Sequence, residues 1–330
     1  MEKRLVGVSR KKSVWKEYRR EKEMSEIIKV SGLKKYFGEI KAVDDVSFSI
    51  EKGELFGFLG VNGAGKSTTI NMLCTLSRPT AGEVWINGLK LGEEDEEIKK
   101  HIGIVYQNNC LDKRLTVKEN LMIRGSLFEN DKKVLRKNLD YVCEILELGD
   151  ILKRPYGKLS GGQKRRCEIG RALMHTPDIL FLDEPTTGLD PATRKSVWKT
   201  VHNLQKELHM TVFLTTHYME EAAKANHIAI IDKGHLIQYG TPFTLKEQFA
   251  KDKLRLIPKD GQMEGIIGQL KNMGMDYKVK ENRVSVSIDE TMQALPLLER
   301  FQEQVEGFEV VQGTMDDVFL NACGGEKEYA

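Results

Sequence analysis

The sequence lacks long hydrophobic runs. No stretch of about 18 apolar residues occurs in its 330 positions, so no segment is expected to cross a bilayer as a helix. Residues 1–12 (MEKRLVGVSRKK) have no apolar core of the kind a secretory leader needs, so export of the chain itself is not expected. Cysteine is sparse and odd in number: Cys74, Cys110, Cys143, Cys167 and Cys323, with no C-x-x-C pair. That argues against a disulfide framework and a zinc site, and for small buried hydrophobes in a reducing compartment. Excess charge of one sign is also missing: 51 Lys and Arg oppose 49 Asp and Glu, leaving +2. A hydrophobic content of 40% with 30% charged residues fits a soluble globular chain rather than a disordered one. The length suggests one large or two ordinary domains.

The charge balance conceals a gradient. Residues 1–24 carry nine basic and four acidic side chains, a net of +5, whereas residues 251–330 carry ten basic and 15 acidic, a net of −5. The basic arm, residues 1–25, is expected to be flexible and solvated; contact with phospholipid headgroups or nucleic acid is the less favoured reading. From residue 26 to about 250, β-branched runs alternate with helical patterns. The clearest runs are Leu55–Leu59, Ile102–Tyr106, Ile179–Leu182, Val212–Thr215 and Ile228–Ile231, which predict an α/β domain with a mostly parallel sheet. Strand signals vanish over about 112–160, where Leu121, Leu127, Leu135, Leu139 and Val142 recur at helical spacing; this predicts a helical subdomain. Residues 251–330 read as a separate α+β domain with the order β-α-β-β-α-β, a ferredoxin-like arrangement.

Three segments carry chemistry. Gly60-Val61-Asn62-Gly63-Ala64-Gly65-Lys66-Ser67, followed by Thr68, fits G-x-x-x-x-G-K-[ST] between an apolar strand and a helix. Glycines let backbone N–H groups curl around phosphate oxygens, and the helix N-terminus adds partial positive charge. Lys66 is expected on the β- and γ-phosphates and the Ser67 hydroxyl on Mg2+. The run Ile179–Leu182 ends in Asp183 and Glu184, a metal-holding carboxylate and a base for an attacking water. Leu159-Ser160-Gly161-Gly162-Gln163 opens a helix; alone it reads as a helix cap, but its first turn can also hold an anion.

The order of these segments resembles that of the ATP-binding cassette (ABC) ATPases. In that family an upstream aromatic stacks on adenine, and Tyr36 stands there. A glutamine after the third strand senses Mg2+ and the membrane partner (Gln107). An aspartate follows the catalytic glutamate (Asp190), and a histidine after the next strand meets the γ-phosphate (His217). The other six histidines show no ligand spacing and are read as surface or structural. The resemblance implies ATP and Mg2+ as ligands and a head-to-tail homodimer. Each ATP would lie between Lys66, Ser67, Gln107, Asp183, Glu184 and His217 of one copy and Ser160 and Gly162 of the other. Residues 108–119 (NNCLDKRLTVKE) and Gly313–Leu320 are similar to the daunorubicin-resistance group, whose ABC-2 type permeases are separate chains. Many of that group have Met where this chain has Gln163, and Pro is common where it has Val61; neither change touches phosphate chemistry. The implied protein is the engine of an exporter, cytoplasmic and held peripherally on the inner face of the plasma membrane by an integral membrane permease. No specific nucleic acid is expected as a partner. The competing reading is an ABC ATPase with a nucleic-acid, ribosomal or regulatory role and no permease. Single-chain translation factors of that kind carry two cassettes, whereas one motif set occurs here, and the coiled-coil heptads of DNA-repair relatives are not found.

Overall fold

The computed structural model describes residues 26–323, so the basic arm foreseen at residues 1–25 lies outside the described residues. Contacts divide the chain into two compact units. One runs to His217 and includes Ile231–Leu236; the other holds Tyr218–Ile230 and the residues from Ile237 onward.

In the first unit, β1 (Glu26–Phe37) and β2 (Ile40–Glu51) form an antiparallel pair, followed by β3 (Leu55–Leu59), α1 (Lys66–Leu73), β4 (Ala81–Ile86) and β5 (Leu89–Lys90). Next come α2 (Asp95–His101), β6 (Ile102–Val105), α3 (Val117–Gly125), α4 (Lys132–Ile145), α5 (Gly161–Leu173), β7 (Ile179–Asp183), α6 (Pro191–Leu208) and β8 (Thr211–Thr216). Strands β3, β8, β7 and β6 are neighbours in that order, and every pairing is parallel. The apolar runs at Leu55–Leu59, Ile102–Tyr106, Ile179–Leu182 and Val212–Thr215 fall in these strands; β3 and β8 are fully buried and β6 and β7 nearly so, as a parallel sheet covered on both faces requires.

A second sheet, ordered β2-β1-β4-β5 and antiparallel, was not foreseen as a separate layer. Its strands bury mainly one face. Val46, Phe48 and Ile50 of β2 are buried, while Asp45 and Ser47 are exposed and Ser49 is half-buried. Phe48 joins the two sheets. Its ring stacks on Phe56 at 5.2 Å and lies 5.7 Å from Phe58 and 6.2 Å from Phe213. Between β6 and α5 the chain turns helical as expected. α3 is opened by a capping box in which the Thr116 hydroxyl accepts from the Glu119 N–H and the Glu119 carboxylate accepts from Thr116 N–H.

The second unit contributes α7 (Met219–Ala222), most of β9 (His227–Asp232) and β10 (His235–Gly240), α8 (Pro242–Phe249), β11 (Asp252–Pro258), α9 (Met263–Asn272), β12 (Tyr277–Lys280), β13 (Arg283–Ile288), α10 (Ala294–Phe301), β14 (Val305–Val311) and α11 (Met315–Ala322). The antiparallel order β12-β13-β11-β14, with a helix after its first and third strands in sequence, is the ferredoxin-like arrangement read from the pattern. Leu254, Leu256, Val284 and Val286 of the sheet pack with Ile266, Leu270, Leu297 and Phe301 of α9 and α10. Helix α11 lies against α7 and α8, which groups residues before 251 with this unit.

Phe213 is fully buried, with ring centroids of Phe56, Phe58 and Phe181 between 5.4 and 5.5 Å away. Phe213→Ala should lower unfolding free energy by about 3–5 kcal/mol in urea titration, the usual cost of emptying a large aromatic site. A loss below about 1 kcal/mol would contradict this packing.

Candidate active site

The loop 60–65 leaves the C-terminal end of β3 and enters α1 at Lys66. Two glycines in it are dictated by close approach. A Cβ on Gly60 would sit 2.4 Å from the Ile231 carbonyl oxygen, and one on Gly65 would sit 2.4 Å from that of Ala42. Gly65 also has φ +110 and is the N-cap of α1, so no side chain caps that helix. The first-turn N–H groups therefore open into a cleft of about 490 Å³ lined by Asn62, Gly63, Gly65, Lys66, Ser67 and Thr68 of the loop and helix, together with Gln107, Glu184 and His217. An uncapped helix start in a glycine cradle fits an anionic phosphate. Gly60 and Ala64 support the loop from beneath without lining the cleft.

Lys66 is the buried cation of the cleft, only 5% exposed. Its ammonium donates to the carbonyls of Gly60 (2.8 Å) and Val61 (3.1 Å) and stands 3.4 Å from Glu184 Oε1. Burial pushes this ammonium down from its ordinary value, and Glu184 and Asp183 oppose that shift. Glu184 gathers the other groups on Oε2: Gln107 Nε2 donates from 3.3 Å, Thr187 Oγ1 donates from 3.1 Å, and His217 Nδ1 lies 3.3 Å away. Burial alone would raise this carboxyl; Lys66, the Thr187 hydroxyl and His217 outweigh it and hold Glu184 below the ordinary carboxylate value. Its backbone has φ +42, an uncommon conformation for a residue with a side chain, fixed by its N–H donating to both the carbonyl (3.2 Å) and the hydroxyl (3.0 Å) of Thr215. The Thr215 hydroxyl in turn donates to Asp183 Oδ1 at 2.6 Å.

Ser67, Asp183 and Gln107 supply oxygen donors suited to a hard divalent cation. Among the described residues no group of three or more His, Cys, Asp or Glu could form a metal cage. A cation here would therefore share its shell with substrate phosphate and water, which suits Mg2+.

The remaining predicted residues do not line this cleft. Ser160 is the N-cap of α5 in a reciprocal capping box: its hydroxyl accepts from Gln163 N–H (3.3 Å), and Gln163 Oε1 accepts from Ser160 N–H (3.1 Å). A Cβ on Gly161 would lie 3.4 Å from Leu189, and one on Gly162 would lie 2.7 Å from Thr193. Asp190 caps α6 by accepting from Thr193 N–H at 3.0 Å, so it sits beside this glycine pair. Tyr36 is half-buried on β1, its hydroxyl donating to Asp44 at 2.5 Å and the Lys41 ammonium 5.5 Å from its ring centroid. Sequence reasoning missed Thr187, Thr215 and Ala42, the last a lining residue of the cleft. A visible signal for Thr215 was a hydroxyl at the end of an apolar run one residue before the His217 dipeptide; Ala42 had none.

The ABC transporter family profile matches residues 43–187. The daunorubicin/doxorubicin resistance ATP-binding protein of Streptomyces peucetius is 37% identical over 305 residues, covering 90% of this chain and 92% of the relative. The bacitracin transport ATP-binding protein of Bacillus licheniformis is 34% identical over 308 residues, 92% of this chain and 99% of the relative. The linearmycin resistance ATP-binding protein of Bacillus subtilis (strain 168) is 37% identical over 264 residues, 80% and 85%. Among solved structures, a dimeric ATP-binding cassette in a post-hydrolysis state with ADP and Pi superposes with a TM-score of 0.58 at 30% identity, covering 65% of this chain and 98% of that one.

Because Glu184 titrates lower folded than unfolded, its stabilising contribution is present above the ordinary carboxylate value and is lost as pH falls through the lowered folded value. The stability difference between wild type and Glu184→Gln, followed by urea unfolding without nucleotide, should shift against the wild type as pH falls from about 5 to about 3. A shift in the opposite direction would show that Glu184 is not held down in the fold.

Proposed function

The chain belongs to the ATP-binding subunits of ABC transporters, which hydrolyse ATP with Mg2+, dimerise and work with membrane permeases, and we propose that this one drives export through a separate ABC-2 type permease. The names of the relatives, which concern resistance to or transport of daunorubicin, linearmycin and bacitracin, support a drug, lipid or peptide-like cargo. The subunit would be cytoplasmic and held on the inner face of the plasma membrane by that permease. Among the described residues no helix is long and apolar enough to cross a membrane. In this reading residues 26–250 form the cassette, with its helical subdomain at about 112–160, and residues 251–330 an accessory domain.

The observation that carries the mechanism is the convergence of Lys66, Gln107, Thr187 and His217 on Glu184. Lys66 and the first-turn N–H groups of α1 bind the β- and γ-phosphates. Ser67, with Gln107 and Asp183 in support, would hold Mg2+, which when bound would supply charge neutralisation at the phosphates. Glu184, ionised because its neighbours keep it so, accepts the proton of the attacking water. His217 reaches the γ-phosphate and orients Glu184. Gln107 lies between this base and the helical subdomain, where it reports nucleotide state toward the permease. Ser160 and Gly162 lie outside the cleft and serve the nucleotide of a second copy, with Asp190 beside them; Tyr36 stacks on adenine. Closure is then a population shift, since ATP contacts both copies only in the closed dimer.

A groove of about 280 Å³ lined by Tyr106, Arg124, Leu127, Phe128 and Arg171 lies where the helical subdomain meets β6. Leu127 is 70% exposed and Phe128 50%, an apolar lip suited to a permease segment.

Glu184→Gln should bind ATP yet turn over at least about a hundredfold more slowly, within the range lost when a general base is removed, and should run as a dimer with ATP in size-exclusion chromatography. Wild-type turnover in this variant would remove Glu184 from its role.

A further inference from the structure

Glu168 on α5 is a buried carboxylate, 1% exposed, that no step above uses. Such a group is costly unless every lone pair is met. Here Oε1 accepts from Cys110 N–H (2.7 Å), Leu111 N–H (3.0 Å) and the Tyr156 hydroxyl (3.0 Å), while Oε2 accepts from Arg171 Nε (3.1 Å). The two amides belong to the segment that immediately follows Gln107, in which Asn108, Asn109 and Cys110 are exposed. Three residues before and three after Glu168, on the same helix face, stand Arg165 and Arg171. Arg165 Nη1 donates to the Tyr106 carbonyl (2.5 Å) and Nη2 to that of Asp183 (3.4 Å); Arg171 Nη2 donates to the Ile104 carbonyl (2.5 Å). One face of α5 therefore grips the chain before Gln107 through two carbonyls and after it through two N–H groups.

An apolar residue at 168 would serve helix packing without the desolvation cost, so packing alone does not explain a carboxylate here. Its charge-assisted bonds to two loop amides do. We propose that Glu168 is a positioning residue for hydrolysis: it ties the segment after Gln107 to the helix that begins at Ser160, so that the Gln107 amide stays within reach of Glu184. Glu168 touches neither nucleotide nor water; it acts through Gln107. Because the segment and the helix share this anchor, a shift of α5 is passed to Gln107. The inference rests on the ATPase reading above.

The test uses the full chain with Glu168→Ala, Glu168→Gln and, in parallel, Glu184→Gln. Turnover is expressed per site that binds ATP, which removes any loss from partial unfolding. Glu168→Ala should turn over roughly tenfold or more slowly per binding site with KM for ATP changed less than about twofold, since the phosphate cradle is untouched. Glu168→Gln keeps an oxygen for both amides and should recover to within about threefold of wild type. Turnover of Glu168→Ala within about twofold of wild type, or equal impairment of the Ala and Gln variants, would overturn the proposal. If the Ala variant does not fold, amide exchange of the wild type decides. Cys110 N–H should exchange at least about tenfold more slowly than its exposed neighbour Asn109, and equal rates would overturn the anchor. Normal turnover of Glu184→Gln would instead overturn the underlying ATPase assignment, separately from any result at Glu168.

Discussion

A buried ammonium must be neutralised where it stands, and the cleft is organised around the one on Lys66. Two loop carbonyls and the Glu184 carboxylate meet it, and Glu184 is in turn held by Gln107, Thr187 and His217. These groups come from four places far apart in sequence. They meet because β3, β8, β7 and β6 are adjacent and parallel, so that all their C-terminal ends open on one edge. β3 delivers the phosphate loop, β6 delivers Gln107, β7 ends in Asp183 with Glu184 next, and β8 runs into His217. The phenylalanine cluster of Phe48, Phe56, Phe58, Phe181 and Phe213 locks three of these strands to β2 and so holds the spacing between the groups.

The cleft gathers only part of the expected machinery. Ser160, Gly161 and Gly162 open α5 beside the start of α6, so two helix N-termini lie together away from Lys66. Each start is capped from within the chain, one by the Ser160–Gln163 box and the other by Asp190, and each still carries the partial positive charge of a helix N-terminus. That arrangement suits a site completed by a second copy, and it gives α5 two duties. In the proposed reading its first turn would meet a neighbour's nucleotide, while its face at Arg165, Glu168 and Arg171 grips the strand and loop around this copy's Gln107.

Much of this was legible in the residues. The apolar runs ending in Gly60, Asp183 and His217 were readable as buried parallel strands because they are continuous rather than alternating. The ferredoxin-like order after residue 251 was readable because its strands alternate and its helices keep a helical period. The antiparallel layer of β1, β2, β4 and β5 was not, because its strands are half polar and resemble loops in a hydrophobicity scan. Motif spacing named Lys66 and Glu184, and the family resemblance named Gln107; Thr215 showed only as a hydroxyl closing an apolar run, and nothing local announced Glu168. Thr215 meets Glu184 from 31 residues away, and Glu168 meets the amides of Leu111 and Cys110 from 57 and 58 residues away, pairings that exist only once the chain has folded.

The most direct measurement mixes two inactive full-length variants, Lys66→Ala and Ser160→Arg, and follows ATP hydrolysis as a function of their ratio. If each nucleotide lies between the Lys66 loop of one copy and the Ser160 turn of another, the mixed dimer contains one intact site. Hydrolysis should then reappear on mixing and peak near equal proportions. A mixture no more active than its separate components at any ratio would contradict a site shared between two copies.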